Sequence, residues 1–137
     1  MIRPICRDQF FLRQPSVPAV PEDTAVGQDL RDTLAANRDR CVGMAANMIG
    51  TAKRIIIVAR TGLPDLVMYN PVLKTKLGPF QAEEGCLSLE GTRKATRYRT
   101  IEVEYLDDAW KRRRLRLTGW TAQICQHEMD HLEGILI

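Results

Sequence analysis

The chain has 137 residues, 45% of them apolar and 27% charged, with a net charge of +3 from 20 basic and 17 acidic groups. That is chain enough for one hydrophobic core, too apolar for a disordered polymer, and too nearly neutral to argue for nucleic acid by charge. No apolar run approaches the ~20 residues of a membrane helix, and Met1–Asp8 lacks the apolar stretch of a signal peptide. A single domain over residues 1–137 is expected, with no membrane and no specific nucleic-acid partner. The four cysteines, Cys6, Cys41, Cys86 and Cys125, then read as reduced thiols of a cytoplasmic protein.

In chain order, residues 1–23 carry Pro4, Pro15, Pro18 and Pro21 and predict an extended arm without helix. Pro21-Glu22-Asp23-Thr24 is a helix-start pattern, and Val26, Leu30 and Leu34 place one apolar stripe on a helix over 24–38. Residues 41–50 are small: Gly43, Ala45 and Ala46 let another backbone or a ligand approach closely. Residues 54–59 predict a buried strand and 66–69 another, which Asn70-Pro71 is expected to break. Ile101, Val103 and Tyr105 alternate with Glu102 and Glu104 on a half-buried strand. Asp107-Asp108-Ala109 turns it, and Trp110–Leu117 returns. The basic run Lys111–Arg116 reads as the charged outer face and edge of a hairpin, offset by Glu102 and Glu104. Thr118 is placed to cap a second helix and Gly134 to end it. Helices flanking antiparallel hairpins predict an α+β fold.

That second helix holds the chain's two histidines, in His127-Glu128-Met129-Asp130-His131. At 100° per residue the imidazoles lie about 40° apart on one face and can share a metal ion. Glu128 sits at the rim of that face, where it can act as general base on a water. Such a site needs a third protein ligand. Only residues 132–137 follow His131, so the ligand is expected upstream. Cys86, presented after Gly85, is the best candidate. Cys125 lies about 160° round the helix from His127 and should point into the core. Cys6 and Cys41 are read as packing residues. Ile124, about 60° from His127, is placed to line a substrate pocket.

Three segments in this order and spacing resemble the peptide deformylase family: Gly43-Met44-Ala45-Ala46 with Ile49-Gly50, then Glu84-Gly85-Cys86-Leu87-Ser88, then Gln126–Leu132. The resemblance spans essentially the whole chain. It implies an α+β fold with antiparallel sheets packed around a central metal-binding helix, plus an N-terminal helix. It implies a bacterial hydrolase of protein biosynthesis that processes the N-terminal methionine, freeing formate from N-formylmethionyl peptides and nascent chains. One divalent metal ion per chain is implied, usually Fe(II), with Zn(II), Ni(II) or Co(II) as substitutes. Cys86, His127 and His131 become its ligands, Glu128 the general acid and base, and the Leu87 backbone N–H the donor to the developing oxyanion. Gly43, Met44, Gly85 and Ile124 become substrate-binding positions.

Two departures from the family pattern stand out. The first motif usually runs Gly-x-Gly-x-Ala-Ala-x-Gln, and here Cys41 replaces the first glycine and Met48 the glutamine. The glutamine amide donates to the formyl oxygen, which a thioether cannot do. This motivates an alternative: a deformylase-like paralogue with weak activity, with another N-acyl substrate, or binding without turnover. The chain also stops short of the C-terminal helix that docks some members on the ribosome. The basic hairpin around Arg112–Arg114 is a candidate substitute, and residues 133–137 are expected to form a short closing strand.

Overall fold

The computed structural model describes residues 1–136. Five strands, β1 (Gly43–Ala45), β2 (Ile55–Arg60), β3 (Leu63–Cys86), β4 (Leu89–Leu106) and β5 (Arg112–Thr118), form one antiparallel sheet in sequence order. Helix α2 (Thr24–Ala36) covers one face and α3 (Gly119–Leu132) the other. This explains why β2 is apolar without alternation: Ile56 and Val58 pack toward α3, whereas Ile55 and Ile57 pack toward α2. Leu30 and Leu34 of the predicted α2 stripe are fully buried, and the helix ends two residues before the expected boundary.

Several expectations change. The N-terminal arm is not wholly extended. Gln9–Leu12 form a one-turn helix, α1, because the Asp8 carboxylate accepts from the backbone N–H groups of Phe10 and Phe11. Asn70-Pro71 does not end its strand. Asn70 takes a left-handed φ of 52°, the register shifts between Tyr69 and Val72, and β3 continues to Cys86. The Asn70 amide also clasps the arm, accepting from Ala19 N at 2.7 Å and donating to Ala19 O at 3.0 Å. Thr118 precedes α3 without a side-chain cap. Residues 133–136 form a turn and coil with no strand, because Gly134 N and Ile135 N bond back to His131 O and Asp130 O. Ile137 lies outside the described residues.

Beyond the five-stranded part, β3 and β4 continue as a two-stranded ribbon whose tip is Leu87-Ser88. The ribbon is tied to α3. The Gln126 amide donates to Tyr98 O and accepts from Tyr98 N, both at 2.8 Å. This clasp carries Cys86 to the helix that bears the histidines. At the other end of β4, Arg112 pairs with Glu104, Arg113 with Asp107 and Arg114 with Glu102, so the basic run is offset across the hairpin as expected.

Candidate metal centre

His127 and His131 project one turn apart from α3, both buried. Their rings meet edge to face, with the two Nε2 atoms 3.1 Å apart. Cys86 arrives from the ribbon tip, and the three potential ligand atoms all lie within 4.8 Å of one another. Nε2 atoms bound at 2.0–2.1 Å to one tetrahedral ion would stand about 3.3 Å apart. The residues present therefore fit a metal ion.

The tautomer fits as well. Glu84 Oε1 accepts from His127 Nδ1 at 2.8 Å, which in the neutral imidazole puts the ring proton on Nδ1 and leaves the Nε2 lone pair for a metal ion. Glu84 is itself fixed. Arg97 donates to it through Nε and Nη2, and Gln123 Nε2 donates at 2.9 Å. Arg97 also reaches Asp130 Oδ2 at 2.6 Å. Burial works against the Glu84 charge, yet the hydrogen bonds from His127, Arg97 and Gln123 outweigh it and hold the carboxyl at about 2. In the metal-free chain burial disfavours a charged His127, but contacts with Cys86 and Glu84 raise it to about 10. Burial and the neighbouring His127 lower His131 to about 3.

Glu128 is 4% exposed, and its Oε1 has no hydrogen-bond partner. Burial pushes its carboxyl up to about 7. It opens on a cavity of about 170 Å³, also lined by Gly43, Met48, Gly85, Cys86, Leu87, Ile124 and His127. Gly43 is there for space: a Cβ would fall 2.6 Å from Ile124 Cγ2 and 3.0 Å from Glu128 Oε2. Met44 does not share the cavity. Strand alternation turns it to the opposite face, into the core beneath α2. Cys125 is fully buried on the core side of α3, as its helical angle predicts. Cys41 is more than a packing residue, because it lines the cavity. Glu84, Arg97, Gln123 and Asp130 were not singled out by the sequence. Glu84 and Asp130 lay inside the quoted segments, whereas nothing local marks Arg97 or Gln123.

The sequence matches the polypeptide deformylase family over residues 3–137. The chain belongs to that family. The peptide deformylase of Clostridium beijerinckii is 52% identical over 137 residues, covering 100% of both chains. That of Orientia tsutsugamushi is 33% identical, covering 93% of this chain and 79% of its own. Among solved structures, a Met-Ala-Ser-bound class I type b peptide deformylase from Acinetobacter baumannii superposes with a TM-score of 0.89. It is 26% identical and covers 99% of this chain and 97% of its own. A peptide deformylase from Legionella pneumophila gives 0.88 at 30% identity, covering 99% and 83%. As a deformylase the chain is a hydrolase that removes formyl groups from peptides, and the family's enzymes are metalloenzymes.

Proposed function

We propose that Cys86, His127 and His131 hold one divalent metal ion per chain and that Glu128 is the general acid and base in freeing formate from N-formylmethionyl peptides. The observation that carries this reading is the pair of Nε2 atoms facing each other at 3.1 Å beside Cys86, with Glu84 holding the His127 proton on the far nitrogen. When bound, the ion acidifies a water and polarises the formyl carbonyl. Glu128 takes a proton from the water that attacks the formyl carbon and returns it to the amine nitrogen as the C–N bond breaks. Its unpartnered Oε1 is the free acceptor for that proton, and the bare Cα of Gly43 leaves room for Oε2. The Leu87 N–H steadies the developing oxyanion. Met48 adds no donor there, because a thioether carries no proton, and its Sδ accepts from Ala45 N at 3.4 Å.

One thiolate and two imidazoles suit Fe(II), the metal the family resemblance implies, and also Zn(II), Ni(II) or Co(II). Gly43, Gly85 and Ile124 bind the substrate, the formylated end of a nascent chain in the bacterial cytoplasm, and the 137 residues work as one domain. No helix among the described residues is long and apolar enough to cross a membrane. The Arg112–Arg114 hairpin is not proposed as a ribosome contact, since each of these arginines pairs with a carboxylate of β4 or its turn.

The test is formate release from formyl-Met-Ala-Ser by protein purified anaerobically with Fe(II). Glu128→Ala should lower turnover by about 10²–10⁴ while keeping one ion per chain. Undiminished turnover in that variant would remove Glu128 from the chemistry. A metal-loaded wild type that releases no formate would remove the reading itself.

A further inference from the structure

β1 is the first strand of the sheet, so one of its edges pairs with β2 and, among the described residues, no strand pairs with the other. Ala59 N donates to Val42 O, which makes Gly43 and Val58 a pair without mutual hydrogen bonds. The polar groups of Gly43 and Ala45 therefore point away from β2, to the other edge. At that edge both departures from the family motif engage the backbone through sulfur. The Cys41 thiol donates to Gly43 O at 2.8 Å, and Met48 Sδ accepts from Ala45 N at 3.4 Å. Cys41, Gly43 and Met48 all line the cavity that Glu128 also lines. An open edge beside a cavity is where an extended peptide adds as a further strand.

We propose that Cys41 sets the affinity for peptide substrate, because its thiol holds the Gly43 carbonyl that a substrate backbone N–H must take over. This rests on the deformylase site described above. Burial raises the Cys41 thiol to about 12, so at neutral pH it carries the proton it donates. A thiol is a weak donor, and a peptide N–H displaces it at small cost. A hydroxyl in its place would compete harder, and a methyl would not compete. Residue 41 thus acts on peptide binding and leaves the reacting atoms alone.

The experiment is a series at residue 41 read by KM and kcat for formyl-Met-Ala-Ser. KM should rise in the order Cys41→Ala, wild type, Cys41→Ser, with steps of about two- to fivefold, the worth of one weak hydrogen bond, and kcat should carry the smaller share of the change. A second readout is the infrared S–H stretch, assigned to Cys41 by its loss in Cys41→Ala. Saturation with the tripeptide Met-Ala-Ser, followed by calorimetry, should move that band toward a free thiol. A flat or reversed KM order overturns the proposal, and so does an unmoved band at saturation or a tripeptide that does not bind. If the wild type releases no formate, the catalytic reading fails and the S–H band alone decides the role of Cys41.

Discussion

Two parts of the chain set arginines against carboxylates, and they differ in burial. At the candidate metal centre Arg97, 4% exposed, joins Glu84 to Asp130. On the β4–β5 hairpin Arg112, Arg113 and Arg114 face Glu104, Asp107 and Glu102 with more than half of each arginine side chain in solvent. The residue types are the same and the consequences are opposite. In water such pairs form and dissolve at little cost and keep an edge strand charged. Out of water neither charge can be left alone, so each partner fixes the other. The carboxylate fixed by Arg97 is the one that orients His127.

Arg97→Leu tests this contrast at its strong end. The substitution leaves Glu84 buried without its cation, and stability in urea should fall by about 3–5 kcal/mol. Metal affinity should fall as well, by up to about 10–100-fold in competition with a chelator, because the carboxylate that orients His127 loses the cation that fixes it. A loss of stability as small as that of a surface pair would erase the contrast.

Gly43→Ala asks a smaller question of the same corner. The added methyl meets Ile124 Cγ2 at 2.6 Å and Glu128 Oε2 at 3.0 Å. Overpacking of this kind costs about 1–3 kcal/mol. The larger signal should be in kcat, since displacing a positioned catalytic group by about 1 Å costs up to 10²-fold. Unchanged kcat with lowered stability would mean that the carboxylate has room to move without leaving its working position.

The helix bearing the centre was legible because the His127–His131 spacing and the helical period describe the same face. β2 was legible from its unbroken Ile55–Val58 run, although not the reason for it, which is a helix on each side of the sheet. The ribbon over residues 72–99 was not. Asn70-Pro71 looks like a break, and many of the ribbon's side chains are exposed and give no clean alternation. The clamp behind His127 was hidden for a related reason. Glu84, Arg97 and Asp130 meet through the register of that ribbon and its clasp on α3, and no spacing in the sequence encodes either. Cys41 looked like a packing residue because whether its thiol faces core or cavity depends on where β1 lies in the sheet.

The weak end of the contrast is Arg114→Ala. Its partner Glu102 keeps 30% of its side chain in solvent, and water can replace the lost guanidinium. The expected change in urea stability is within about 0.5 kcal/mol, with formate release unaffected and the remaining dependence on salt reduced. A loss near that of Arg97→Leu would mean that the hairpin pairs act as one network across β4 and β5. Burial would then not be what separates a positioning charge from a solvated one. Double-variant cycles across Glu102–Arg114 and Glu84–Arg97 would measure that directly, since only the buried pair should show a coupling energy that survives in high salt.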